Sequence, residues 1–328
     1  MTNRFHFRAV LIPALFMATF LIHSTEAVIL DDQGQILPEV IDIFQLFSQK
    51  FQHPDLIKNP TLKNLNLLAQ HTFLRPHPSE RLSAVAIAHY QKLMHQMTDG
   101  EKQHLLHLFW KLGDVGPVFP KIKKFDYILL NGSTVPNMRE RIASFCEALI
   151  KGHVQLMADT KIIFLEGERP LFASENQTVL LQVSPYTLRP GWTPIGLSLP
   201  TDEREAARWV WNQMQLPTVL LQKQYEPVFV DAEKKPQATR AETEDCVKKW
   251  AQTDHPKPNG TALVVSNNPY VYYQKCVTQK LLAQSGLPHL RLDTLGNAIT
   301  ESAYPNDTVK IGVLLDTLAR NLHLHSME

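Results

Sequence analysis

Three short polar segments carry the residue types with which this chain could do chemistry, and each directly follows a run of apolar residues. The first is Asn131-Gly132-Ser133, with Arg139 and Arg141 shortly after it. A glycine lets the backbone approach a ligand closely, a helix start offers free N–H groups to an anion, and arginines add charged donors. The segment therefore predicts anion binding. The alternative is an ordinary strand-to-helix turn with solvated arginines, because neither a Gly-x-Gly-x-x-Gly motif nor a Walker lysine is present.

The second segment is Glu166-Gly167-Glu168-Arg169. We expect Glu166 to point from the sheet into a ligand crevice, where a carboxyl group could act as a general acid or base. Two carboxylates beside an arginine are also typical of a surface ion pair. Glu242, at the start of a later predicted helix, is the other acid/base candidate.

The third segment is Ser266-Asn267-Asn268-Pro269-Tyr270. Its two asparagines suit recognition of hydroxyl, carbonyl or phosphate oxygens, whereas capping of the following helix is the structural alternative. Ser266 is a candidate nucleophile of a secreted hydrolase, and His289 is the nearest candidate base. No Gly-x-Ser-x-Gly elbow surrounds Ser266, which weakens that interpretation.

Histidine and cysteine spacings predict no metal site. His104 and His107 lie three residues apart on one predicted helix, without a His-Glu-x-x-His motif or a nearby set of carboxylates. The widely spaced Cys146, Cys246 and Cys276 carry no metal signature either. An oxidising compartment permits one disulfide among them, in a pairing that the sequence leaves open. Three small, buried thiols on helices are the alternative.

The bulk composition describes a globular chain. Its 328 residues are 44% hydrophobic and 20% charged, which suffices for one large domain or two smaller ones. A net charge of +1 gives no electrostatic argument for a nucleic-acid partner. No apolar run after the first 27 residues approaches the length of a membrane span, so we expect a mature chain that is soluble or peripheral to a membrane.

The first 27 residues have the layout of a secretory signal peptide. Arg4 and Arg8 precede an apolar run from Ala9 to Ile22, and small residues lead to Ala27. This predicts cleavage after Ala27, because the run is shorter than the roughly 20 residues of a membrane span. The protein is expected to be periplasmic or secreted; the alternative is anchorage to the membrane by the uncleaved segment. No cofactor is expected, because export separates the chain from ATP, NAD and S-adenosylmethionine.

Apolar periodicity divides the rest of the chain in two. Residues 28–120 predict helices at 40–51 and 62–73, a helix capped by Ser79, and a helix opened by the capping box of Thr98 and Glu101. A linker rich in glycine and proline follows at 113–120. Residues 121–328 alternate short apolar strands with helices. We predict strands at 125–130, 161–165, 178–183, 218–221, 228–230, 262–266 and 289–293, and helices at 137–152, 202–214, 239–252, 270–284 and 309–323.

This alternation predicts the fold class and the edge at which ligands would bind. Short apolar strands between helices indicate a doubly wound, mostly parallel, Rossmann-like α/β sheet, here preceded by the α-helical region. In such a sheet ligands bind outside the carboxyl ends of the strands. The three polar segments are expected to meet there.

The order and spacing of these strand ends resemble a known family. Gly132 followed by Arg139 matches its first turn, a glycine-rich segment with an arginine soon after. The family has a Ser-Gly-Gly turn, of which this chain keeps Gly167. The family also has a helix that starts with Thr-x-Glu-Asn, of which this chain keeps Glu242. A Glu-Ala segment before a Pro-ended turn is matched by residues 203–207 and 216–217. Over about residues 125–290 the chain resembles the YdcF/SanA/ElyC-like family, the bacterial domain of unknown function 218.

The last motif departs from that family. Its final strand ends in Thr-Ser followed by His and Arg, whereas this chain has Ser266 and Asn267 followed by Tyr270 and Tyr273. If the family's His and Arg do chemistry, the same route is not open to this chain. The resemblance implies an exported or membrane-anchored Rossmann-type protein, associated with envelope integrity and peptidoglycan precursor metabolism.

Together, the residues and the resemblance predict an exported, envelope-associated protein that binds a phosphate- or sugar-bearing metabolite, free or lipid-linked, and either hydrolyses or transfers it. The acid/base candidates are Glu166 and Glu242, and Ser266 is the candidate nucleophile. Ligand contacts are expected from Asn131, Gly132, Ser133, Arg139, Arg141, Gly167, Asn267, Asn268 and Tyr270. The alternative is a non-catalytic binding or scaffold protein, degenerate at the family's reactive positions, whose helical region contacts a protein partner.

Overall fold

The structure is a computed structural model that describes residues 29–31, 33–76 and 82–326. The predicted signal peptide and the predicted cap Ser79 lie outside these residues. Within them, the first helices are α1 (Pro38–Leu46), α2 (Leu62–Thr72), α3 (Ala84–Leu93) and α4 (Asp99–Lys111). Short 3-10 turns occupy Ser48–Lys50 and Pro54–Lys58. Helices α1 to α4 and their connections are called the helical front below.

Local sequence explains where these helices begin. The side chains of Thr61 and Ser83 accept hydrogen bonds from backbone N–H groups in the first turns of α2 and α3. The capping box predicted for Thr98 and Glu101 is present at the start of α4. Each cap satisfies an N–H group that has no partner inside the helix.

From residue 124 onward the chain alternates strands and helices, as predicted. In chain order the elements are β1 (Lys124–Asn131), α5 (Val135–Ile150), β2 (Gln155–Leu165), α6 (Gln177–Leu181), α7 (Glu203–Gln213), β3 (Val228–Phe229), α8 (Thr243–Asp254), β4 (Thr261–Asn267), α9 (Val271–Gln284), β5 (Arg291–Asn297) and α10 (Asp307–Ser326). Further 3-10 turns lie at Thr218–Leu221, Lys223–Tyr225 and Glu301–Ala303.

The sheet confirms the predicted fold class. Its five strands are all parallel and lie in the order β3-β2-β1-β4-β5. The chain moves outward from β1 to β3, then crosses to the other side of β1 to form β4 and β5. The strand order therefore reverses between β1 and β4, and a crevice at that point is where ligands bind in Rossmann-like sheets.

Helices cover both faces of the sheet. Alternate residues of β1 separate the two faces, since Ile128 packs in the core beneath α5 and α7 while Leu129 packs in the core beneath α8 and α9. These central strands are buried on both sides, which explains why they read as continuous apolar runs in the sequence.

The last helix belongs to a third core. Ile311, Leu314, Leu318 and Leu322 of α10 are buried among apolar residues of α1, α2 and α4. The linker also ties the helical front to the sheet, because Val118 and Gly296 exchange backbone hydrogen bonds of 2.8 and 3.0 Å. The first and last parts of the described chain thus pack together at one end of the sheet.

Two predicted strands are wrong. Residues 178–181 lie in α6 and residues 182–183 follow it; the side chain of Asn176 caps this helix by accepting the N–H of Val179. Residues 218–221 form a 3-10 turn that follows Pro217. Both are short apolar runs with β-branched residues, which periodicity alone does not assign to helix or strand.

No helix in the described ranges is both long enough and apolar enough to cross a membrane. Cys146 and Cys246 are buried thiols on α5 and α8, and Cys276 lies half-buried on α9. Burial raises the pKa of the Cys146 thiol to about 12, which keeps it protonated and unreactive at neutral pH.

Candidate functional site

The candidate site lies at the carboxyl ends of β1, β2 and β4. Gly132, directly after β1, donates its N–H to the carbonyl of Leu165 at 2.7 Å and so continues the sheet by one residue. A side chain does not fit there. A Cβ on Gly132 would lie 2.0 Å from Oε1 of Glu203 and 3.0 Å from both Cα and Cβ of Glu166. The glycine is therefore required for the close approach of these three residues.

Glu166 follows β2 and is completely buried. Its Oε1 accepts the backbone N–H of Asp231 at 2.9 Å, whereas its Oε2 has no hydrogen-bond partner among the described residues. Burial raises the pKa of this carboxyl to about 8; the charge of Asp231 adds to the effect, and the Asp231 N–H and Arg208 oppose it. Glu166 thus carries a proton at neutral pH, as a general acid does.

Glu203 is the first residue of α7, and Asp202 caps that helix by accepting the N–H of Glu205 at 2.9 Å. Oε2 of Glu203 accepts a hydrogen bond from Nε of Arg169 at 2.5 Å. Its Oε1 accepts no hydrogen bond from any residue that the structure describes, and 12% of the side chain is exposed. Burial raises the pKa of Glu203, although the charges of Arg169 and Arg141 oppose this.

Arg169 holds this part of the site together. Besides Glu203, its guanidinium contacts the Glu175 carboxylate at 2.8 Å and donates to the carbonyl of Ser133 at 3.0 Å. Glu175 in turn accepts the N–H of Val135, the first residue of α5, at 2.8 Å. One buried cation therefore fixes the loop after β1 and the starts of α5 and α7 relative to one another.

We call Gly132, Glu166 and Glu203 the acidic rim. Because Glu203 Oε1 and Glu166 Cβ lie 2.0 and 3.0 Å from the same point beside Gly132, they are at most about 5 Å apart. Each carboxyl has one oxygen that accepts no hydrogen bond within the described part of the chain. Glu203, whose side chain is 12% exposed, can therefore accept a hydrogen bond from a ligand, whereas the neighbouring Glu166 carboxyl is fully buried.

A second cluster, the amide network, joins α5 to the ends of β4 and β5 and consists of Glu140, Arg141, Asn267 and Asn297. Nε of Arg141 donates to Oδ1 of Asn267 at 2.5 Å. Nδ2 of Asn267 donates to Glu140 Oε2 at 2.6 Å and to Asn297 Oδ1 at 3.2 Å. Asn297 also donates to Glu140. Arg141 further donates to the carbonyls of Asn131 and Gly132, at 2.6 and 2.8 Å.

The two predicted anion-binding arginines are both engaged with the protein itself. Arg139 is buried, and its guanidinium donates to the carbonyls of Val179, Leu180 and Gln182 and to Oε1 of Gln213. It therefore closes the carboxyl end of α6. Arg141 is buried within the amide network. Neither arginine has the solvated side chain of the alternative interpretation.

The remaining predicted residues of the first segment lie at the crevice. Asn131 is buried, and its Nδ2 donates to the carbonyl of Val265 in β4 at 3.4 Å, which joins the two strand ends. Ser133 is half-buried, and its hydroxyl accepts Nδ2 of Asn137 at 3.1 Å. Of this segment, Gly132 and Ser133 are the more accessible residues.

The loop after β4 is used mainly for packing. The Ser266 hydroxyl is fully buried and has no hydrogen-bond partner within the part of the chain that the structure describes. Nδ2 of Asn268 donates to the carbonyls of Gly113 and Gly116 in the linker. The Tyr270 ring packs with Tyr90 of α3 and with α10. These residues attach the helical front to the sheet.

The last two predicted residues lie near β2. Gly167 contacts the start of α8, where an added Cβ would lie 2.6 Å from Cβ of Ala241. Glu242 is an exposed N-terminal cap of α8 in a capping box with Asp245, and it pairs with Arg240 at 3.1 Å. The structure thus brings Gly132 and Glu166 together, and leaves Glu242 on the surface.

Sequence reasoning missed four residues of the site, namely Glu140, Glu175, Glu203 and Asn297. A signal was available for Glu203, because a helix that follows a parallel strand begins at the carboxyl edge, and its first residue therefore lies near the ligand crevice. Asn297 ends β5, so the same rule points to it, but the predicted strand stopped at residue 293. Glu140 and Glu175 depend on contacts between distant segments, which no local pattern reveals.

No cluster of three or more metal-ligating side chains exists among the residues that the structure describes. No family model, curated protein or solved structure matches this chain.

Proposed function

We propose that this chain is an exported bacterial envelope protein that binds a sugar- or phosphate-bearing metabolite at the ends of β1 and β2, next to the point where the strand order reverses. The observation that carries the proposal is the acidic rim beside the reversal of strand order. Buried carboxyl oxygens without donors are costly, and functional sites are where proteins keep such groups. A YdcF-like ancestry, an exported location and a lipid-linked form of the metabolite belong to the same proposal.

The contacts favour the sugar over the phosphate. Arg139 and Arg141 donate to protein oxygens, so they do not present the free guanidinium groups with which proteins hold phosphate. Glu166 and Glu203 have the complementary property, since they offer acceptor oxygens. Sugar hydroxyl groups are hydrogen-bond donors and match these acceptors.

Turnover of the bound metabolite would rely on Glu166 as the general acid. Its carboxyl is protonated at neutral pH, because its pKa is raised to about 8 by burial. Glu242 is exposed and pairs with Arg240, and the Ser266 hydroxyl has no hydrogen-bonded base among the described residues, so neither supports a catalytic role as well as Glu166 does. A hydrolase or transferase acting on the sugar linkage is the reaction class that fits.

A thermal-shift screen tests this function. The folded chain is heated with sugars, sugar phosphates, nucleotides, undecaprenyl-phosphate analogues and muropeptides, and binding raises the melting temperature with ligand concentration. Gly132→Ala should abolish the shift, because the new Cβ collides with Glu203 and Glu166. Gly100→Ala is the matched control: its Cβ meets only Thr98 at 3.9 Å, so the shift should persist.

The non-catalytic scaffold is the second candidate, and the loop after β4 favours it. Asn268 and Tyr270, both predicted to contact ligand, instead attach the helical front to the sheet. The segment after β4, which was predicted to line one side of the ligand site, therefore serves to hold the fold together. A well-folded sample that no compound of the panel stabilises would support the scaffold and contradict the binding proposal.

A further inference from the structure

The segment that joins α6 to α7 is almost free of charge. Residues 176–201 contain one charged side chain, that of Arg189, and no carboxylate. Because 20% of the whole chain is charged, a segment of this length would be expected to carry about five charges. Much of the segment is nevertheless exposed to solvent. We call residues 188–198 the apolar loop.

The base of the apolar loop is fixed to α7. Arg189 donates from Nη2 to the carbonyl of Trp211 at 2.5 Å and from Nε to that of Met214 at 3.3 Å. The Trp192 ring packs edge-on against Trp209 of α7, with ring centroids 5.4 Å apart. The single charge of the segment is therefore used on carbonyls at the carboxyl end of α7, and the protein itself holds the loop in place.

The tip of the apolar loop is a type II turn. Leu197 donates its backbone N–H to the carbonyl of Pro194 at 3.1 Å, and Gly196 has a φ of +79°. A type II turn requires a positive φ at its third residue, which glycine adopts without strain. Ile195 thus lies at the corner of the turn. It is 86% exposed, more than any other large apolar residue that the structure describes, and Leu197 is 53% exposed.

The backbone of the tip depends little on water for its hydrogen bonds. Pro190 and Pro194 have no N–H group. Ile195 donates its N–H to Oγ1 of Thr193 at 3.2 Å, and the N–H of Leu197 closes the turn. Backbone donors must be satisfied inside the protein wherever water is excluded. The tip can therefore leave water without losing these hydrogen bonds.

The size of the tip favours a lipid bilayer over a protein partner. Burial of one aliphatic side chain removes about 60–120 Å² of apolar surface from water. Ile195 and Leu197 together supply only a fraction of the about 800 Å² that each partner buries in a stable protein interface. A bilayer needs no matching pocket, because small apolar elements enter the boundary between headgroups and acyl chains.

The composition of the segment also fits the surface of a bilayer. A membrane that contains anionic lipids has a negative surface potential, which repels carboxylates. The segment contains none. Trp192 lies half-buried three residues before the tip, and tryptophan rings are enriched at the level of the lipid headgroups.

We propose that the apolar loop binds a lipid bilayer by inserting Ile195 and Leu197 below the headgroups, with the Trp192 ring at headgroup level. This inference goes beyond the proposed function and does not depend on the acidic rim. A contact of this size is weak and reversible, like binding through one acyl chain, whose association constant is about 10⁴ M⁻¹. The loop therefore orients the chain on a membrane without anchoring it there.

Fluorescence quenching with the full chain tests the inference. Ile195→Cys carries an environment-sensitive dye, and phosphatidylcholine vesicles at about 1 mM lipid carry a quencher on their acyl chains. Emission from the dye should shift to the blue and be quenched. Ile150→Cys is the matched control and should show neither effect, since Ile150 is 76% exposed but lies beside the ion pair of Lys151 and Glu147. The unsubstituted chain gives the background from the native cysteines.

A charged substitution locates the effect within the loop. Leu197→Asp in the chain labelled at residue 195 should abolish the quenching, because a carboxylate is costly below the headgroups. Ile150→Asp should leave the quenching unchanged. Both positions are exposed, so both variants keep the fold. The label reports the loop itself, so vesicle contacts elsewhere in the chain do not affect the result.

Three outcomes would overturn the inference. The first is equal quenching at residues 195 and 150, or none at residue 195. The second is quenching that requires phosphatidylglycerol in the vesicles, which would indicate electrostatic binding. The third is a shift in emission that depends on chain concentration without lipid, which would show that a second copy covers the loop. None of these readouts involves a sugar, so the thermal-shift test of the proposed function stays independent.

Discussion

The acidic rim and the amide network lie at the same edge of the sheet, yet they differ in how many of their polar groups have hydrogen-bond partners. In the amide network, Asn267 uses both its amide oxygen and its amide nitrogen on neighbouring side chains. In the acidic rim, Glu166 and Glu203 each keep one oxygen without a donor. The first arrangement stabilises the junction of β1, β4 and β5. The second leaves binding capacity at a cost in stability.

This difference separates the residues that hold the site from those that can meet a ligand. Arginine and asparagine side chains looked like the ligand contacts in the sequence, but their hydrogen bonds are consumed within the protein. Glutamates beside a glycine offer the free acceptors instead. Substitutions in the two regions should therefore have different effects. Those in the amide network should lower the free energy of unfolding, and those at the acidic rim should alter ligand binding and the pH dependence of stability.

The largest effect is expected from Arg169, which links the acidic rim to the rest of the fold. Arg169→Met leaves Glu175 and Glu203 buried without their cation, and should lower the free energy of unfolding by about 3–5 kcal/mol. Arg204→Met, which breaks the pair with Asp202 nearer the surface, should cost about 0–1 kcal/mol. Urea unfolding measures both. Equal losses would mean that Arg169 does not hold the site together.

A smaller loss is expected from the amide network. Asn267→Ala leaves Arg141, Glu140 and Asn297 each short of a partner, and should lower the free energy of unfolding by about 1–3 kcal/mol. Asn137→Ala is the control, because it removes a single bond to the half-buried Ser133 and should cost less. The same urea titrations apply. An Asn267→Ala chain as stable as the Asn137→Ala chain would contradict a stabilising role for the network.

Glu166 should make the free energy of unfolding fall as pH rises, whereas a salt-bridged carboxylate makes it rise. Between pH 4.5 and about 8 the folded chain holds a proton that the unfolded chain has released, so the free energy of unfolding falls as pH rises. The slope contributed is up to about 1.4 kcal/mol per pH unit. Glu166→Gln should flatten it, and Glu205→Gln should not. Unfolding at a series of pH values is the measurement.

The smallest effect is expected at Ser266, which belongs to neither region. Its hydroxyl is buried without a partner, so Ser266→Ala should change the free energy of unfolding by less than about 1 kcal/mol. Thr160→Val should cost more, since the Thr160 hydroxyl donates to the carbonyl of Phe125 at 2.8 Å. A fluorophosphonate probe should leave the chain unlabelled. Labelling that disappears in Ser266→Ala would restore Ser266 as a nucleophile.

The fold could be predicted because its signals are local. Apolar runs of strand length between amphipathic helices indicate a parallel sheet, and the caps at Thr98 and Asp202 lie beside the helices that they begin. The errors at 178–183 and 218–221 arose where a short apolar run fits a helix and a strand equally well. Such runs are decided by packing and by a cap such as Asn176.

The sequence predicted at which edge of the sheet the candidate site lies, but it predicted fewer of the residues that form the site. The strand ends located Gly132 and Glu166 correctly beside each other, because the carboxyl ends of parallel strands share one edge. The partners of Arg139 are carbonyls at the carboxyl end of α6, some 40 residues away, which no spacing rule anticipates. Whether an arginine meets a ligand or a carbonyl depends on tertiary contacts, and these lie outside what composition and periodicity encode.

The position of α10 has a consequence for a chain that ends early. All five strands precede α10, so a chain that stops shortly before residue 307 still contains every strand of the sheet. Such a chain lacks Ile311, Leu314 and Leu318, which pack against α1, α2 and α4. The truncation should therefore expose apolar surface on the helical front, whereas the two cores that flank the sheet keep all of their residues.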